Sequence, residues 1–174
     1  MQFHLLPLRR FHQPEHIREL FLCLFWIAGL PIGYLFVGQL SETYYSLMRM
    51  AVKTPVSIVG LMTVIFLPLL LSVVALAFSK PLLFVPLAFL KSFLYSFTVS
   101  AVMFVFNDAG WLVAGLLLFS ESLMNVLLLW FWFRNLHRNH TFFKDVMIST
   151  FIAAAVFVID FYAVSPFLVS LFYH

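Results

Sequence analysis

The sequence predicts an all-α fold, a polytopic integral membrane helix bundle with five transmembrane helices and its N-terminus inside. Composition is the first ground for this. Of 174 residues, 64% are apolar and 10% charged, where a soluble domain is about half apolar and about a quarter charged. Hydropathy is the second. A mean hydropathy of +1.05 leaves more apolar surface than a chain of this size can hide in its own interior, so the surrounding solvent is lipid. Segment length is the third, because the apolar residues fall into runs of about 20 or more, the length that crosses a bilayer. Five such spans fill the chain, which reads as one membrane domain without a separate soluble part.

Taken in order, residues 1–18 form a cytoplasmic N-terminal segment in which Pro7 interrupts any single helix. Residues 1–13 fit either a short membrane-surface segment or disorder. Pro14 and Glu15 suit the first turn of a helix, and the first span covers 19–38. It is too long for a cleavable signal and is read as retained. Residues 39–54 are polar enough to leave the membrane core and form an external amphipathic segment. Ser41 can cap a short helix there, and Tyr44, Tyr45, Arg49 and Lys53 suit the interface. The second span is 55–78, with an expected kink at Pro68. Ser79, Lys80 and Pro81 make a tight turn into the third span, 82–106. Asn107 to Gly110 turn the chain into the fourth, 111–133. A cytoplasmic loop, 134–145, precedes the fifth, 146–172.

Charge sets the orientation. One side holds Arg9, Arg10, Arg18, Lys80, Arg134, Arg138 and Lys144, seven cations, and the other holds Arg49 and Lys53. The positive-inside rule then places the N-terminus in the cytoplasm and the C-terminus outside, in a cell membrane. Trp111 would mark the outer interface, with Trp130 and Trp132 at the inner one.

Four polar residues inside the spans are the informative ones: Lys91, Glu121, Asn125 and Asp160. A charge at mid-bilayer costs about 3 kcal/mol on insertion scales, so such side chains face the bundle interior and find partners. Lys91 is the tenth residue from the inner end of the third span and Glu121 the thirteenth from that of the fourth. At 1.5 Å rise per residue the two depths differ by less than a turn. A short turn makes these helices antiparallel neighbours, so Lys91 and Glu121 are the natural pair. Asp160, fifteenth from the inner end of the fifth span, lies within reach, and Asn125 shares a helix face with Glu121. The cluster reads either as internal fastening or as a proton or ion path, unless Lys91 instead snorkels toward the inner interface.

Small residues mark faces where helices approach closely. Gly29 and Gly33 make a G-x-x-x-G in the first span, and Ser92, Ser96 and Ser100 recur every four residues in the third. Each stripe serves either intrachain packing or docking to another membrane protein.

Catalytic sets fall short. His12 and His16, and His137 and His140, lack the H-E-x-x-H context of a zinc protease, and every His lies outside the expected spans. The single cysteine, Cys23, precludes an intrachain disulfide and a cysteine metal site. There is no P-loop and no dinucleotide fingerprint. The sequence therefore predicts no enzyme, no cofactor and no metal. No basic run with interleaved aromatics is present, so nucleic acid is not expected as a partner.

From Leu87 to Leu118 the sequence resembles the core of the stage II sporulation protein M family. The features are Lys91-Ser92, phenylalanines and small residues at four-residue steps after it, Gly110 in the turn before the next span, and the spaced Gly29 and Gly33 of the first span. The plan of a cytoplasmic start, one span, an external amphipathic segment and then a packed bundle is similar too. The resemblance implies a non-enzymatic membrane scaffold, in spore formers one that holds cell-wall hydrolases at the engulfing membrane, with other membrane or envelope proteins as partners. The competing reading is a small transporter or permease subunit that uses the Lys91, Glu121 and Asp160 cluster.

Overall fold

The computed structural model describes residues 14–53, 57–78, 81–107, 110–136 and 142–172. All regular structure among them is helical. In chain order come α1 (Pro14–Val37), α2 (Glu42–Lys53), α3 (Ile58–Ala77), a short 3-10 turn (Pro81–Leu83), α4 (Phe84–Phe106), α5 (Gly110–Leu117), α6 (Phe119–Asn135), α7 (Phe142–Ile159), a π-turn (Asp160–Val164) and α8 (Ser165–Phe172). The expected segment 1–13 lies outside the described residues, as do Ser79, Lys80, Asp108, Ala109, His137, Arg138 and His140.

Among the described residues, four helices are long and apolar enough to cross a membrane: His16–Val37, Ile58–Ala77, Phe84–Phe106 and Phe142–Phe167. The bent pair α5 and α6 makes a fifth if counted as one span. Between 22% and 28% of each long span is buried within the chain. The remaining faces are apolar as well: Val59 is 72% exposed and Phe151 77%. A soluble helix turns polar residues outward. These helices turn Val, Leu and Phe outward, as a bundle bathed in lipid does.

Two of the expected spans differ in form. The fourth, expected as one helix over 111–133, bends by 58° between α5 and α6. Leu118 leaves helical geometry there, at φ −103° and ψ 14°. Beyond it Ser120, Glu121 and Ser122 open α6, where the positive end of the helix dipole favours a carboxylate. The fifth span widens into the π-turn at Asp160, and the Ser165 N–H donates to the Asp160 carbonyl five residues back. Pro166 explains this. It has no N–H to give, and its ring would collide with the Tyr162 carbonyl in a regular α-turn. By contrast α3 runs unbroken through Pro68, and α1 through Pro31.

The densest helix pairing joins α1 to α4, and the two run parallel. Gly29 lies against Ser92 and the Phe89 carbonyl, and Gly33 against the Phe93 carbonyl and Ser96. A Cβ on Gly29 would sit 2.7 Å from the Phe89 oxygen and 2.9 Å from the Phe93 nitrogen. Ser96 Oγ donates across the seam to the Leu30 carbonyl at 2.6 Å. Rings flank the contact: Phe25 meets Phe89, and Phe36 meets Phe93, both edge to face.

α2 closes one end of this seam. Tyr45 Oη donates to the Val37 carbonyl at 2.9 Å, and Arg49 Nη2 to the Val105 carbonyl at 3.4 Å. These are terminal carbonyls of α1 and α4, which have no partner within their own helices. Phe104 stacks on Tyr45, and Phe97 meets Tyr44. The turn into α5 needs two special residues. Asn107 takes a positive φ of 46°, which Asn tolerates better than most. Gly110 lets α5 approach Met103, whose Cα would be 2.6 Å from an added Cβ.

The main core lies at the other end, between α3, α4, α6 and α7. It holds Ile65, Leu69, Phe84, Ala88, Leu128, Phe131 and Trp132. Trp132 departs from its expected place at the membrane interface. It is fully buried, its ring stacks on Phe84, and its Nε1–H donates to Ser72 Oγ at 2.7 Å. Trp111 and Trp130 are exposed.

The α1–α4 seam generates a stability prediction. Gly29→Leu has no room against the α4 backbone and should destabilise the protein by about 1–3 kcal/mol, the usual cost of overpacking. Gly115 has no neighbouring atom within 4 Å of an added Cβ, so Gly115→Ala should be neutral or stabilising by up to about 1 kcal/mol. Thermal unfolding in detergent should separate the two variants.

Candidate functional site

The polar residues of the spans gather into one layer, built from α4, the start of α6 and the π-turn. Lys91 projects from α4 and Glu121 from the first turn of α6. Lys91 Nζ and Glu121 Oε1 are 2.8 Å apart, with side chains 9% and 13% exposed. α4 and α6 run antiparallel, as pairs further along them show: Tyr95 with Ser122 and Phe84 with Trp132. That geometry brings the two matched depths together. Glu121 also sits at the positive end of α6, so the helix dipole and the ammonium act on the carboxylate in the same direction.

Asp160 lies in the same layer but does not complete a triad with the pair. It is buried, and Ser120 Oγ donates to its Oδ2 at 3.0 Å. The Tyr95 and Ser122 hydroxyls meet at 2.9 Å, and Ser122 Oγ also donates to the Leu118 carbonyl at 2.8 Å. Asn125, one turn beyond Glu121, is 5% exposed. Neither its Oδ1 nor its Nδ2 has a hydrogen-bond partner. A buried amide without partners costs about 1–3 kcal/mol.

The small-residue stripes have a definite place. Gly29, Gly33, Ser92 and Ser96 face one another across α1 and α4, within the chain. Ser100 lies half-buried one turn further along α4.

A second charged cluster escaped the sequence reading. Asp145, expected in a watery loop, is fully buried in the first turn of α7. Its Oδ1 is 2.8 Å from Arg134 Nε, and Asn135 Nδ2 donates to its Oδ2 at 3.4 Å. Asn135 also donates to the Phe131 carbonyl at 2.9 Å. The cluster fastens the end of α6 to the start of α7. The opposed charges at the two ends of the short 134–145 segment were its sequence signal.

Among the described residues no group of three His, Cys, Asp or Glu side chains could hold a metal ion. His16 meets Glu19 at 3.3 Å on an exposed face of α1. Both described surface grooves have mainly apolar linings, and neither includes Lys91, Glu121 or Asp160. No family model, no curated protein and no solved structure matches this chain.

The pair makes a clear mutational prediction. Lys91→Leu or Glu121→Met alone strands a charge inside the bundle and should lower stability by about 3–5 kcal/mol. The double variant removes both charges and should recover much of the folded yield in membranes. Size-exclusion profiles and unfolding in detergent read the outcome. Single variants as stable as the parent would show that the two side chains do not depend on each other.

Proposed function

We propose that this protein is a non-enzymatic membrane scaffold that holds other membrane or envelope proteins. The observation that carries the reading is the closed state of the intramembrane charges. Lys91 and Glu121 neutralise each other at 2.8 Å, both largely buried, and Asp160 accepts a hydrogen bond from the Ser120 hydroxyl. The Gly29 and Gly33 stripe lies against α4, so partner binding falls to other surfaces. On α2 the inner face caps α1 and α4, while Leu47 and Met50 stand 60% and 64% exposed on the opposite side. Kinship with the stage II sporulation protein M family belongs to this proposal, as does residence in a cell membrane. It is supported by the residues from Leu87 to Leu118 and by the glycine seam.

A transporter or permease subunit is the second reading, and one observation favours it. The bend between α5 and α6 and the π-turn of the last span both fall at the polar layer, and the unpartnered Asn125 follows one turn beyond Glu121 on α6. Broken helices at mid-membrane are where transporters bind ions. Proton flux in proteoliposomes distinguishes the two readings. A scaffold should leave an imposed pH gradient intact. A flux that Glu121→Gln or Asp160→Asn abolishes would replace the scaffold reading with the transporter.

The proposed orientation has its own test. In a Cys23→Ser background, Ser46→Cys on α2 should react with an impermeant maleimide added to intact cells. Asn139→Cys should react only after permeabilisation. The reverse pattern would invert the topology.

A further inference from the structure

The geometry points to a binding site for an anionic phospholipid on the seam between α6 and α7. A groove of about 470 Å³ runs along this seam, within the range of small-ligand sites. Its walls include Leu123, Val126 and Trp130 of α6 and Ile148, Ile152 and Val156 of α7. These positions span seven and eight residues, about 10–12 Å of helix at 1.5 Å per residue. The walls are hydrocarbon apart from the indole N–H, and an acyl chain is what a membrane offers to such a surface.

The ends of the walls identify the headgroup. Arg134 follows Trp130 by four residues, and Lys144 precedes Ile148 by four. Four residues along a helix return to the same face, so each wall ends in a cation one turn beyond the groove. Two observations hold Arg134 at the mouth. Its guanidinium lies 5.5 Å from the centroid of the Trp130 ring, and Asp145 Oδ1 lies 2.8 Å from its Nε. The side chain is nonetheless 42% exposed, and a guanidinium has four further N–H donors on its terminal nitrogens. Lys144 is exposed. Asp145 is fully buried and offsets Arg134, so among the described residues Lys144 leaves one net positive charge at the mouth. A phosphodiester with one negative charge complements it, and a half-exposed Trp130 suits the depth where chain meets headgroup. A zwitterionic lipid offers the same chain without the net charge. Basic sites between helices at a membrane surface bind anionic headgroups for this reason.

Trp130 forms part of the wall and also serves as the reporter. Its fluorescence is isolated as the difference between the parent protein and Trp130→Phe, reconstituted in phosphatidylcholine vesicles. Phosphatidylglycerol with brominated chains should quench this signal about fivefold more effectively than brominated phosphatidylcholine, the ratio expected for one cation near the surface. The pair Arg134→Gln and Lys144→Gln should abolish the preference while quenching by phosphatidylcholine persists. Because Arg134→Gln also removes the partner of Asp145, Lys144→Gln alone is the second variant, and it should reduce the preference in a protein whose α6–α7 fastening is intact. Ile152→Trp, read with the same difference signal, should fill the groove and weaken quenching by both lipids. Equal quenching by the two lipids would overturn the proposal. So would a preference that survives loss of both cations, since that would reflect the general attraction of a basic protein for anionic lipid.

Discussion

Lys91 and Glu121 fix the position of α4 against α6, and the rest of the bundle is arranged around that contact. No water is available in a hydrocarbon layer to share the load of a charge. The two helices are therefore held at the one sliding position where ammonium and carboxylate meet. The neighbouring polar contacts follow from that register. Tyr95 reaches Ser122 one turn along, and Ser120, next to Glu121, reaches Asp160 of the last span. At the other end of α6 the same alignment sets Trp132 on Phe84 and brings it to Ser72 of α3. Apolar packing alone would be a weak guide, because lipid tails are as apolar as the helix faces. A few polar contacts and close small-residue seams supply the specificity that the hydrophobic effect supplies in water.

This division of labour explains how much of the molecule could be read in its sequence. Span positions are legible because hydrocarbon thickness imposes a length. The facing of Lys91 and Glu121 is legible because depth along a span is simple arithmetic and a short turn forces adjacency. Trp132 misleads for a physical reason. A tryptophan near a span end has two solutions, an interface or a buried hydrogen bond, and only Ser72, sixty residues away, decides between them. Asp145 misleads likewise. Its polar sequence surroundings suggest water, while Arg134 and Asn135 give it a buried pocket. The π-turn has a local cause in Pro166, six residues after Asp160, yet the same residue type at Pro31 and Pro68 leaves α1 and α3 unbroken. The bend after α5 has no proline to announce it.

The polar layer fastens α4, α6 and the last span to one another, yet not every group in it has a partner. Each charge of the Lys91–Glu121 pair is partnered in this arrangement. Asn125 is not. An amide with nothing to bond inside a membrane costs about 1–3 kcal/mol.

The α1–α4 seam also constrains how the protein comes into being. Gly29 rests on Ser92, a residue that the ribosome adds 63 positions later. At about 5–20 residues per second, roughly 3–13 s pass between the two. Throughout that interval the first span waits in the bilayer with its glycine face bare, while α2 and α3 emerge and contribute little to covering it. The newborn helix is then a surface of exposed small residues on offer to any passing span. Its correct mate arrives third, so fidelity rests on how quickly α4 is released and on what keeps other helices away until then.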